Sequence, residues 1–372
     1  MMTPDFTGGG IHALPTEARS IGNAQVDQRI HDLVRDYGCN ASSDFIQEMI
    51  VTALKIGRDG LDVADLKLFN RSLRELRHAA RVFSHYTDRQ KVVVFGSART
   101  PADAPEALAA EEFGRKMSER DYMIITGGGN GIMGAAQRGA GRDNSFGLNI
   151  RLPFEQHANP TIDGDNKLIT FNYFFTRKLN FVKETHAVAL FPGGFGTFDE
   201  GFEVLTLMQT GKARIFPIVF VDAPGGTYWE AFFAFLKQHL LGHGLVSPDD
   251  FNFFRLVTSV DDAVEEITNF YRNYCSYRWV RQQIVLRLRC ALTAEALKAL
   301  NHDFADLLVC GSIEATGPLP EEANQPEIAH LQRLVFTPYR HNLGRLRALI
   351  DAINVAPTVP ACTPHPTAQP QG

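Results

Sequence analysis

A chain of 372 residues, 44% apolar and 21% charged, can bury a full core and carry one large domain with additions. Its formal net charge of -5 supplies no basic field for a nucleic-acid backbone, and no stretch reaches the ~18 apolar residues of a membrane span, so neither nucleic acid nor membrane is the expected partner. Cys39, Cys275, Cys290, Cys310 and Cys362 are scattered, odd in number and without a C-x-x-C pair, which predicts neither a disulfide framework nor a zinc site and fits a reducing cytoplasm. The first residues lack the basic stretch and apolar run of a secretory signal, so a soluble, unprocessed chain is expected.

In chain order, residues 1–25 read as a loose arm with Gly8, Gly9, Gly10 and Pro15, and residues 26–88 as a helical region. Within it, 65–83 repeats Leu and Phe at intervals of three and four, the pattern of a helix with one buried face. From Lys91 short β-rich runs alternate with amphipathic stretches: KVVVFG then a helix near 103–119, YMIITGGG then 131–141, FGLNIRL, HAVALFPGG then 197–210, and RIFPIVFV then 228–241. The alternation predicts parallel strands joined by crossover helices, and the near-continuous Val, Ile, Phe and Leu runs predict helices on both faces of the sheet. After a helix over 261–274, the runs QQIVLRLRC, ADLLVCG and LQRLVFTPY and a final helix over 343–354 predict a small α+β module. The expected organisation is therefore an arm (1–25), a helical region (26–88), a Rossmann-like α/β domain with a doubly wound parallel sheet (89–275), an α+β addition (276–355) and a disordered Pro- and Thr-rich tail (356–372).

Chemistry should gather beyond the carboxyl ends of the strands, where the glycines lie. PGGFGTFDE (192–200) joins a strand to a helix, so its backbone amides and the positive helix end suit an anion, most simply a phosphate. Gly193, Gly194 and Gly196 let a ligand approach the backbone, and Thr197 offers a hydroxyl, although a tight turn explains the glycines about as well. GGGNGIMG (127–134) contains the dinucleotide fingerprint from Gly129 to Gly134, and Glu155 follows at nearly the fingerprint's distance, so a nicotinamide-dependent oxidoreductase is a rival reading. Against it, the fingerprint normally follows the first strand, and here KVVVFGSA comes first with its own loop. Three loops, at 96–99, 127–134 with Gly128 and Gly129, and 192–197, could surround one mononucleotide. Arg177 and Lys178, in FFTRKLNFVK, are candidates to reach that pocket or else a solvated pair on a surface helix. Glu200 is both the end of a Thr197-x-x-Glu200 capping box and a carboxylate beside the anion site, while His186 should lie at the opposite end of the sheet in a structural role.

The pair GGGNGIMGAA and PGGFGTFDE, with RK upstream of the second, resembles the Lonely Guy family of nucleoside 5′-monophosphate phosphoribohydrolases over roughly residues 88–275. The resemblance implies a Rossmann-like homodimer or larger assembly that releases free base and ribose 5-phosphate without a redox cofactor or metal. It puts the family's catalytic arginine on Arg177 and glutamate on Glu200, and Ser97, Met133 and Thr206 near the nucleotide. GLNIRLPFEQHANP and the terminal regions resemble the longer bacterial members, so AMP or a related nucleotide is expected rather than a cytokinin nucleotide alone. Relatives are often labelled lysine decarboxylases. That chemistry needs a lysine for a pyridoxal-phosphate Schiff base, for which Lys178 is the only suggestive candidate. A non-catalytic nucleotide sensor is the third reading.

Overall fold

The computed structural model describes residues 19–39, 43–153 and 157–359. Glu155, the first 18 residues of the expected arm and residues 360–372 of the tail lie outside them. The chain divides into two compact units, one ending at Arg77 and the other beginning at His78.

In the first unit α1 (Ala24–Asp36) and α2 (Ser43–Arg58) bury Ile30, Val34 and Val51 against one another. Asn23 caps α1 by accepting from the N–H groups of Gln25 and Val26. α3 (Val63–Phe83) leads from this unit into the next. The buried face expected along 65–83 is confined to its end: Ala79 and Phe83 are buried, while Leu66, Phe69 and Leu73 are exposed.

The second unit opens with β1 (Lys91–Phe95), α4 (Pro105–Ser118), β2 (Met123–Thr126), α5 (Ile132–Ala140), β3 (Ser145–Ile150) and β4 (Leu168–Phe171). It continues with α6 (Phe174–Glu184), β5 (Ala187–Leu190), α7 (Phe195–Gln209), β6 (Ile218–Val221), α8 (Tyr228–Phe235), β7 (Phe254–Val257) and α9 (Val260–Phe270). These strands form one parallel sheet in the order β4-β3-β2-β1-β5-β6-β7, the doubly wound architecture expected. Alternate residues of β1 bury into opposite layers: Val92 and Val94 meet α4, α5 and α9, whereas Val93 and Phe95 join the layer of Phe181, Val204 and Trp229. Burial on both faces is why the strands read as unbroken apolar runs. The strand order reverses between β1 and β5, which opens a crevice at their carboxyl ends.

The expected helix over 261–274 stops at Phe270. The N–H groups of Asn273 and Tyr274 both donate to Asn354 Oδ1, which draws this stretch out of helical pairing and into the start of a strand. β8 (Tyr274–Val280), β9 (Gln283–Leu288), β10 (Leu308–Thr316) and β11 (Gln332–Pro338) make an antiparallel sheet ordered β10-β11-β9-β8, with α10 (Ala294–Asp303) and α11 (Leu343–Val355). Leu286, Leu334 and Ile350 of this sheet and α11 belong to the same apolar core as Phe95 and Trp229. Buried Glu322 accepts from both Arg287 and Arg333, so the charges compensate one another. Cys290 is disulfide-bonded, whereas Cys39, Cys275 and Cys310 are free, so one bridge is present where the scattered cysteines predicted no disulfide framework. Among the described residues no helix is long and apolar enough to cross a membrane.

Candidate functional site

Three backbone loops interlock at the carboxyl ends of β1, β2 and β5. The N–H of Ser97 donates to the carbonyl of Pro192 at 3.1 Å, and the N–H of Ile132 donates to the carbonyl of Ser97 at 3.0 Å. Gly131, at φ +62°, approaches so closely that a Cβ there would stand 2.3 Å from the Ser97 oxygen. Gly193 is equally constrained, since its Cβ would lie 2.1 Å from Thr197 Oγ1. Ser97, Gly131, Gly193 and Thr197 are thus brought together; Gly128 and Gly129 precede Gly131 in the same loop, with Gly128 facing Leu168 and Gly147, and Met133 Sδ is the atom that a Cβ on Gly127 would meet.

Gly194 and Gly196 differ from these. A Cβ on either would meet no atom within 4 Å, and neither has a positive φ, so the fold itself does not demand glycine there. They line the open amino end of α7, whose N-cap is Gly194 with no side-chain cap. The free amides and the positive end of the helix dipole therefore face open space. The expected capping box is absent: α7 begins at Phe195, so Thr197 lies inside the first turn under Gly193, and the Glu200 side chain turns elsewhere.

It turns to Arg177. Arg177 Nη2 lies 3.3 Å from Glu200 Oε1, and both side chains are largely buried, at 14% and 6% exposure. α6 and α7 supply one residue each, and the rings of Phe174 and Phe181 flank the guanidinium at 5.1 and 5.6 Å. Arg177 Nε is buried with no partner, an uncompensated donor beside the loops. Burial raises the carboxyl of Glu200 above its ordinary value despite the opposing cations Lys178 and Arg177. Burial also lowers Arg177, with Glu200 acting against it.

Lys178 meets Glu200 at its other oxygen and two further carboxylates: its Nζ lies 4.0 Å from Glu200 Oε2, 2.7 Å from Asp199 and 2.9 Å from Glu203. Burial disfavours its charge, but Asp199 and Glu203 outweigh burial and hold the ammonium above its usual range. A Schiff-base lysine must become a neutral amine, so Lys178 does not fit pyridoxal phosphate. Thr206 is not gathered into the pair: exposed on α7, it stands six residues beyond Glu200, about 9 Å farther along the helix axis. His186 is at the other end of the sheet, where its Nδ1 accepts from the Lys91 N–H and burial holds it neutral. Among the described residues no group of three or more His, Cys, Asp or Glu is placed to hold a metal ion.

Two residues escaped the sequence reading. Tyr228 donates its hydroxyl to the Gly193 carbonyl at 2.5 Å, tying the start of α8 to the PGG turn. Asn159 binds the loop after β2 from beneath. Each recognises backbone carbonyls, which leave no signature in side-chain patterns.

Residues 133–267 match the family model described as possible lysine decarboxylase. The chain is 28% identical over 164 residues to the probable cytokinin riboside 5′-monophosphate phosphoribohydrolase LOGL5 of Oryza sativa subsp. japonica, covering 43% of this chain and 63% of that protein. It is 29% identical over 171 residues to the cytokinin riboside 5′-monophosphate phosphoribohydrolase of Mycobacterium tuberculosis, covering 45% of this chain and 88% of that one. With the pyrimidine/purine nucleotide 5′-monophosphate nucleosidase of Escherichia coli K12 it shares 29% identity over 124 residues, 31% of this chain and 27% of that protein. The matched segments all fall short of this chain's full length. The segment that matches the family model, residues 133–267, contains Arg177, PGGFGT and Glu200, the second of the two stretches on which the resemblance to the Lonely Guy family rests.

Proposed function

We propose that this protein hydrolyses the N-glycosidic bond of a nucleoside 5′-monophosphate, AMP or a related purine or cytokinin nucleotide, to free base and ribose 5-phosphate. The observation that carries the reading is the buried Arg177–Glu200 pair next to the open, uncapped amino end of α7. The helix end and the Gly193–Thr197 backbone anchor the 5′-phosphate. Arg177, with a donor still unused, orients the nucleotide. Glu200, as carboxylate, stabilises the cationic ribose as the C1′–N bond breaks and guides a water to C1′. The water oxygen bonds to C1′, the bonding pair leaves with the base, and the water's proton ends on the base nitrogen. Ser97, Gly128, Gly129 and Met133 border the sugar and base, while Lys178 sets the charge around Glu200. The names of the phosphoribohydrolase and nucleosidase relatives support the same reaction.

Phe174, Phe175 and Leu179 on α6 are exposed beside the pair, which supports a homodimer or larger assembly that covers them. A cytoplasmic site of action belongs to the proposal, since nucleoside monophosphates are made and consumed there. Incubation of pure protein with a panel of nucleoside 5′-monophosphates tests it: free base should appear from at least one. Reduction of a nicotinamide cofactor would favour the oxidoreductase, and binding without cleavage the sensor.

A further inference from the structure

Asn159, near the end of the stretch GLNIRLPFEQHANP, was assigned no role from the sequence, yet its side chain is buried beneath the loop after β2 and bonded to it. It is 2% exposed, and its Nδ2 lies 3.1 Å from the Gly128 oxygen, 2.9 Å from the Gly129 oxygen and 2.5 Å from Gln137 Oε1. Its own N–H also donates to the Gly128 oxygen, at 2.9 Å. The surroundings fix the orientation of both amides. Asn159 Oδ1 accepts from the Thr161 N–H at 3.1 Å, and Gln137, fully buried, gives its Nε2 to the Phe146 carbonyl at 2.9 Å.

A trans peptide holds its C=O and N–H in opposite directions. The Gly128 oxygen shares a peptide with the Gly129 N–H, and the Gly129 oxygen with the Asn130 N–H. Drawing both oxygens onto Asn159 therefore turns the N–H groups of Gly129 and Asn130 to the far side of the loop. Neither N–H has an acceptor among the described residues, although Gly129 is buried. A buried amide left unpaired is costly, and two adjacent amides facing one way suit a ligand oxygen.

We propose that Asn159 is a positioning residue for nucleotide recognition: it anchors the carbonyls of Gly128 and Gly129 so that the amides of Gly129 and Asn130 are presented to an oxygen of the ribose 5-phosphate half of the substrate. This rests on the nucleotide-hydrolase reading above. The motif glycines then supply the shape of the loop, and Asn159 fixes its direction.

Asn159→Asp tests this with no change of size. Its ionised carboxylate faces three acceptor oxygens and donates to none of them, whereas the protonated form recovers one donor. At pH 8 the KM for AMP should rise on the order of tenfold with kcat nearly retained, and it should fall back toward the wild-type value as pH is lowered. AMP affinity should fall equally when Asn159→Asp is placed in a Glu200→Gln background and measured by calorimetry. That arm is independent of turnover: if wild type releases no base from any nucleotide the hydrolase reading fails, while AMP binding still reports on the loop. Asn159→Ser, which keeps one donor, should lie between the two. Unchanged AMP affinity in folded Asn159→Asp overturns the proposal. So does a loss of kcat at constant KM, or failure of both variants to fold, which would make Asn159 a determinant of the fold alone.

Discussion

Arg177 Nη2 stands 3.3 Å from Glu200 Oε1, joining α6 to α7, and with Lys178 it opposes the burial that raises the Glu200 carboxyl above its ordinary value. The pair is joined by one contact, so the guanidinium keeps its buried Nε for another acceptor. A lysine at this position would retain the charge and lose the planar fork. Arg177→Lys should therefore lower kcat/KM for AMP on the order of 100-fold, and Arg177→Ala at least as much. Steady-state release of base by the three proteins checks this, and equal rates for wild type and the lysine variant would remove the orienting role.

Adenosine should be a far poorer substrate than AMP. The amino end of α7 is uncapped and open beside Gly194 and Gly196, so its binding energy is directed at an anion that adenosine lacks. Comparable kcat/KM for the two would reduce PGGFGT to a turn.

The acid limb of the pH profile should lie above the usual carboxylate range. Glu200 must be ionised to act, and burial has raised its pKa, so activity is lost as pH falls through that raised value. Lys178 and Arg177 hold the value down, while Glu203 and Asp199 push it up. Lys178→Gln removes a cation that stabilises the carboxylate and leaves the acidic neighbours in place. Its kcat/KM profile should shift to higher pH. An unshifted limb would assign that limb to another group.

Tyr228→Phe deletes the hydroxyl on the Gly193 carbonyl and little else, since Tyr228 is 39% exposed. The expected cost in stability is about 1 kcal/mol or less, while the freed PGG turn should raise the KM for AMP several-fold. Thermal melting and steady-state kinetics measured on the same preparation separate the two effects; an unchanged KM would leave the hydroxyl a surface contact.

The legible part of this molecule was whatever repeats along the chain. Val92–Val94 and Ala187–Leu190 could be read as strands because both faces are covered. The strands β4 and β7 at the two sheet edges were missed, since only part of each is buried and neither reads as an unbroken apolar run. Arg177 and Glu200 were found through motif resemblance, and the structure adds their contact. Thr197 was misread as a cap because the helix starts earlier, at Phe195 with Gly194 in the N-cap position, which leaves Thr197 inside the first turn and the helix end without a side-chain cap. Asn159 and Tyr228 stayed hidden because they bind carbonyls 31 and 35 residues away, and which backbone atoms meet is decided only once the strands are in register.

The central claim is N-glycosidic hydrolysis assisted by Glu200, and the most direct measurement is a quantitative product balance on AMP with wild type and Glu200→Gln prepared in parallel. Wild type should yield adenine and ribose 5-phosphate in equal amounts. The folded Glu200→Gln protein, which keeps the shape and loses the charge, should be slower by at least ~100-fold. No free base from wild type with AMP or any other nucleoside 5′-monophosphate of the panel, or equal adenine from both proteins, would contradict the account.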